Sequence, residues 1–152
     1  MNKYSIEQVL PHKAPMILLD NLLSYDQTGA CCTVKIKPES NFYRAELKGV
    51  PTYIGIEYMA QTIAAFANAN QLDIGKKVEI GFLVSSRKYT THTSIFTENS
   101  VLEVSVTRLY KEDNGLSVFE CSISEQHNKL VEAQINVFQP DEPSAFLAES
   151  GL

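Results

Sequence analysis

The sequence predicts an α+β domain, with one long helix in the middle of the chain and antiparallel strands after it. Three observations lead there. Residues 49–72, GVPTYIGIEYMAQTIAAFANANQL, have the length and alanine content of a helix, and their apolar side chains go nearly all the way round. After Gly75 the composition shifts to Val, Ile, Phe and Thr with alternation in places, the pattern of strands. The turn segments EDNG (112–115) and EQHN (125–128) then separate the last strands into an antiparallel meander.

From the start of the chain, SIEQVLPH (5–12) reads as a short helix with Ser5 as N-cap and Pro11 just past its end. MILLDNLLSYD (16–26) reads as an apolar strand closed by the turn chemistry of residues 26–29, and ACCTVKIKP (30–38) as its partner. Residues 39–50 look irregular. Pro51 stands near the start of the long helix, where a proline's missing N–H costs nothing. The alanines at 60, 64, 65, 67 and 69 are small enough for a sheet to wrap closely about that helix. Strand segments follow at 78–90, 93–111, 116–126 and 129–139. The tail 139–152, with two prolines and several acids, reads as peripheral, which leaves residues 1–138 as a single domain.

A length of 152 residues suits one core, and 44% hydrophobic with 20% charged residues is ordinary globular composition, far from that of a disordered chain. The net charge of −5 argues against a general nucleic-acid binder. No apolar run reaches the ~18 residues that span a bilayer, and the first twenty residues lack the order of a signal peptide. Cys31, Cys32 and Cys121 lack metal-ligand spacing, and the adjacent pair makes a poor disulfide framework. The expectation is a cytoplasmic protein with reduced thiols and no metal site.

Glu57 is the residue that asks for a function. It is the only charged residue between Lys48 and Asp73, set among Ile, Gly, Tyr, Met and Ala. A carboxyl inside a largely apolar helix needs a partner, a proton or a chemical role. Burial favours the protonated acid, and the positive end of the helix favours the charge. Gln61, one turn later, is the nearest structural partner on offer, either for Glu57 or as a tie from helix to sheet.

Two segments carry a resemblance. VLPHKAPMILLDNL (9–22) looks like the Leu-Pro-His-x-x-Pro start, followed by apolar residues and Asp, of the 3-hydroxyacyl-acyl-carrier-protein dehydratases of bacterial fatty-acid synthesis. VPTYIGIEYMAQ (50–61) is similar to that family's central-helix signature of Pro, a carboxylate six residues later, then Met-Ala-Gln. Through GIEYMAQTIAA, SRKYTTHTSIF and EQHNKLVEAQINVFQP the chain resembles, more narrowly, the dehydratases predicted for aryl polyene biosynthesis. The resemblance implies a hot-dog fold, in which a curved antiparallel sheet wraps a long central helix. It also implies loss of water from a 3-hydroxyacyl chain held by an acyl carrier protein on a phosphopantetheine arm. The chain departs from the pattern in one place. The family's catalytic histidine lies roughly fourteen residues before the helix carboxylate; here that count gives Tyr43, and no histidine lies between His12 and His92.

Elimination needs a base for the α-proton, an acid for the departing hydroxyl and donors for charge gathering on the thioester oxygen. The resemblance assigns the acid, or the orientation of the hydroxyl, to Glu57. Free N–H groups at the helix start are the natural donors: Thr52 matches the family position whose amide contacts the thioester oxygen, and Tyr53 and Gly55 lie beside it. A glycine at 55 permits close approach of acyl chain or backbone. The base stays open. His12 belongs to the N-terminal motif, where it reads as a structural hydrogen-bonding residue or as the missing catalytic histidine. His92 falls on an expected strand and His127 in a turn. The phenols of Tyr43 and Tyr53 can orient a hydroxyl, but a phenol of ordinary pKa, about 10, is a poor base at neutral pH.

Arg44, Lys48, Arg87 and Lys88 bracket the expected site in sequence and suit docking of an acidic carrier protein. The chemistry calls for no cofactor. The expected assembly is a homodimer or a heterodimer with a related dehydratase. Two other readings share these residues: a non-catalytic subunit that shapes the tunnel of an active dehydratase, and a hot-dog thioesterase whose helix carboxylate positions water.

Overall fold

The computed structural model describes residues 4–10, 16–77 and 83–138. His12 and the tail 139–152 lie outside them.

Helix α1 (Ile6–Val9) opens the described chain, and the Gln8 side chain turns back to accept the Ser5 N–H at 2.8 Å. Strands β1 (Asn21–Tyr25) and β2 (Gly29–Lys35) form a hairpin. Asp26 makes its turn by accepting the Thr28 and Gly29 N–H groups at 2.7 and 2.9 Å. These bonds, Thr28's first, hold the Asp26 carboxyl below the usual carboxylate range. Only the second half of the 16–26 run is strand. In the first half the backbone groups of Met16 and Leu18 bond the Gln61 side chain rather than a neighbouring strand.

Strand β3 (Gly49–Pro51) runs through a 3₁₀ turn (Thr52–Ile54) straight into helix α2 (Gly55–Asp73). Strands β4 (Leu83–Thr91), β5 (Ile95–Thr97), β6 (Val101–Lys111), β7 (Leu116–Glu125) and β8 (Asn128–Phe138) follow. The 93–111 run, read from sequence as one strand, is broken at 98–100. There Asn99 takes a left-handed backbone with φ 72°, and the Thr97 and Ser100 hydroxyls bond at 2.8 Å.

Six strands make one antiparallel sheet in the order β1-β2-β6-β7-β8-β4, and β3 pairs with β5 apart from it. The alternation of the strands decides which face meets the helix. Cys32 and Val34 of β2, Leu102, Val104 and Val106 of β6, Cys121 and Ile123 of β7, and Val131 and Ile135 of β8 are all buried, at period two. Against them lies α2, with Tyr58, Met59, Ile63, Ala65, Phe66 and Ala69 buried. Ala65 and Ala69 expose no surface, so the sheet comes close where the side chains are smallest. Asn68, buried in the helix, donates to the Val9 carbonyl at 2.9 Å and holds α1 on the same core.

Candidate functional site

The start of α2 follows from its sequence. Pro51 ends β3 in an extended conformation (φ −58°, ψ 141°) and suits entry into the 3₁₀ turn. Across it, the β3–β5 pairing sets Ser94 opposite Thr52, and the Ser94 carbonyl accepts the Thr52 N–H at 3.1 Å and its hydroxyl at 3.3 Å. The Thr52 carbonyl takes the Gly55 N–H and also the Tyr89 phenol, the latter at 2.5 Å. Two amides expected as donors to a thioester, those of Thr52 and Gly55, are therefore already engaged. Their bonds build the turn.

Glu57 sits in the first turn of α2, and it is exposed. This corrects the expectation of a carboxyl enclosed in the helix core. The helix is covered on most sides, as its composition implied, but Glu57 falls on its first turn, where that face is left open. Among the described residues it has neither a hydrogen-bond nor an ion-pair partner. Gln61 does not serve it: the Gln61 amide accepts the Leu18 N–H at 2.9 Å and donates to the Met16 carbonyl at 2.8 Å. Gln61 is 6% exposed, and it ties helix to the N-terminal motif segment rather than to the sheet. Tyr53, one turn before Glu57, is 64% exposed, so the solvent-facing start of the helix presents a phenol and a carboxylate.

The other expected residues lie elsewhere. Tyr43 gives its phenolic proton to Glu98 in a very short hydrogen bond, and the Glu98 carboxylate pushes that phenol's pKa up, away from any use as a base. Glu98 was not legible as a partner, since it is one acid of a turn fifty-five residues away. The Glu98 N–H bonds the Lys48 carbonyl at 3.0 Å, which puts the pair at the Gly49 end of β3, while α2 leaves from the Pro51 end. Within one chain the Tyr43 position and Glu57 are thus at opposite ends of a strand. His92 bonds Glu132 at 3.2 Å on the sheet's exposed surface, and His127 occupies the β7–β8 turn, exposed. Neither stands in the core that α2 and the sheet enclose.

The four basic residues are all exposed. Arg44 is paired with Glu46 at 3.1 Å, and Lys48 has a left-handed backbone with φ 54°. Arg87 stands at the bulge of β4, and Lys88 beside it lines a concavity of about 360 Å³ shared with Glu120 and Glu132. Lys88 thus shares its concavity with Lys129 and with two acids of its own chain. Tyr89, the next residue, is the one that sequence reasoning missed. A β carbon on Gly55 would lie 2.3 Å from its oxygen, 2.9 Å from Ile123 Cδ1 and 3.2 Å from Phe96 Cζ. The space that glycine leaves is filled by these side chains and not by acyl chain or backbone.

This architecture recurs in solved structures. A chain of the dehydratase heterocomplex ApeI:P from Xenorhabdus doucetiae superposes with a TM-score of 0.87 at 23% identity, over 97% of this chain and 99% of that one. An HP0420 homologue from Helicobacter felis gives 0.63 at 13% identity, covering 86% and 96%. A hypothetical thioesterase from Streptococcus pneumoniae, solved with coenzyme A, gives 0.55 at 9%, covering 78% and 83%. At such identities these likenesses establish the hot-dog fold. No curated protein matches the chain in sequence. The family comparison goes further, because the model of the ApeP dehydratases matches residues 4–148. Both the fold and the aryl polyene resemblance read from the sequence hold, and the chain belongs to the ApeP-like dehydratase family.

Proposed function

We propose that this chain is one half of a heteromeric dehydratase that removes water from 3-hydroxyacyl thioesters on an acyl carrier protein in aryl polyene synthesis. It works in the cytoplasm, where its thiols stay reduced. Glu57 supplies the carboxyl that protonates or orients the leaving hydroxyl, and the partner subunit supplies the base.

The observation that carries this reading is Glu57, exposed and without a partner among the described residues, at the start of a largely covered helix. A carboxyl at the open start of a helix is free to meet a substrate hydroxyl, and enclosure by a second subunit and the acyl chain would exclude water from the reacting groups. The chain's own candidate at the histidine position, Tyr43, is bound to Glu98 at the far end of β3. A base from another subunit supplies what is missing. In the reaction the base takes the α-proton, the electron pair forms the α,β double bond, and the β-hydroxyl leaves with a proton as water. The heterocomplex that resembles this chain is a dehydratase made of unlike chains, and that composition supports a partner of related fold.

The test is turnover of 3-hydroxyacyl carrier proteins, read by mass as loss of water, with this chain alone and co-purified with a related dehydratase. The expected result is activity in the complex and a fall of about 100-fold or more with Glu57→Gln. A complex that retains full activity with Glu57→Gln makes this chain a non-catalytic subunit. Release of free acid makes it a thioesterase.

A further inference from the structure

We propose that Tyr89 is a positioning residue for Glu57, holding the start of α2 from the edge strand of the sheet. The inference rests on the function proposed for Glu57 and adds a residue to it. Four observations converge. The Tyr89 phenol donates to the Thr52 carbonyl at 2.5 Å, the bond that crosses from β4 to the 3₁₀ turn. Thr52 in turn is fixed from the other side, through its N–H and hydroxyl, by the Ser94 carbonyl. Gly55 leaves open the space the phenol enters, so the chain's one glycine in α2 stands where this contact needs it. The ring is half-buried, and burial pushes its pKa up to about 12, so it is a proton donor throughout the neutral range.

The mechanical consequence lies five residues on. Thr52 and Glu57 are separated by little more than one turn, and the helix start has no side-chain cap of its own. Ile54, in the N-cap place, has no side-chain oxygen with which to satisfy the first-turn amides. An uncapped terminus frays. The phenol does not cap those amides: it donates to a carbonyl of the preceding turn and so anchors that turn to the sheet from outside the helix, and the direction of the first turn sets where the Glu57 carboxyl points. β4 is the last strand of the sheet, paired only with β8 among the described strands.

Tyr89→Phe tests this, because it removes one oxygen and keeps the ring that packs over Gly55. In the dehydratase complex the expected result is a kcat between about tenfold and 100-fold lower with KM unchanged. In the isolated chain, amide hydrogen exchange at residues 53–57 should quicken while the buried strands β6 and β7 keep their protection. Wild-type kcat in the variant, or a raised KM with kcat intact, overturns the proposal. If Glu57→Gln costs no activity, the function proposed for Glu57 fails separately, and the exchange measurement decides for Tyr89: faster exchange at 53–57 upholds the grip on the helix start, and unchanged exchange overturns it.

Discussion

Gln61 shows how one side chain fixes the site's surroundings. Its amide is buried and both halves are used, one on Leu18 N–H and one on Met16 C=O. Gln61→Leu keeps the volume roughly and loses both bonds. Because Leu18 is only half-buried and Met16 exposed, water can take over part of the lost bonding. The cost should fall at the low end of the range for unsatisfied groups, about 1 kcal/mol. Urea unfolding measures it, and limited proteolysis should find new cleavage around residues 16–20. Glu57 and Gln61 are neighbours on one helix with opposite fates. The first faces solvent and the second holds a segment forty-five residues away. That contrast was invisible in the sequence, where both are polar residues on the same helix face, because only the tertiary placement of residues 16–18 covers the turn that holds Gln61 and leaves the turn before it open.

Among the elements, the β7–β8 hairpin carries a local cost. Its two-residue turn places Gln126 and His127 at φ 48° and 70°, the left-handed region that favours glycine and asparagine. Left-handed conformations cost a residue with a β carbon about 1 kcal/mol. Replacing Gln126 and His127 by Asn and Gly should therefore stabilise the chain by about 1 kcal/mol, seen as a raised urea midpoint with an unchanged slope. The sequence located this turn and the β1–β2 turn correctly, since turn chemistry acts within four residues. It read 93–111 as one strand because Val, Ile and Thr lie on both sides of the break. The separate pairing of β5 with β3, which builds the wall beside Thr52, depends on a partner 44 to 48 residues earlier in the chain.

For the molecule as a whole, the thiols report on the core. Burial pushes Cys32 and Cys121 up to about 12 from an ordinary 9.0, and Cys31, half-buried, is raised as well. The folded chain holds Cys32 and Cys121 as neutral thiols, while the unfolded chain ionises them from about pH 9 upward. Their contribution is intact below that pH and is lost as pH rises towards about 12. Urea midpoints should fall between about pH 8 and about pH 10.5, less so in a Cys32→Ala, Cys121→Ala double variant. At pH 8 a thiol reagent should reach these two only as fast as the core opens. The sequence by itself determined the α+β class, the helix with small residues facing a sheet, and the family, through periodicity, turn chemistry and two motifs, all of which act over short stretches of chain. Only the tertiary structure decided that Glu57 is exposed, that Thr52 and Gly55 spend their amides on the turn, that Tyr43 is bound to Glu98, and that Tyr89 grips the helix start. Those outcomes depend on which distant strand passes beside a given turn, and packing of the whole sheet around the helix is what settles that.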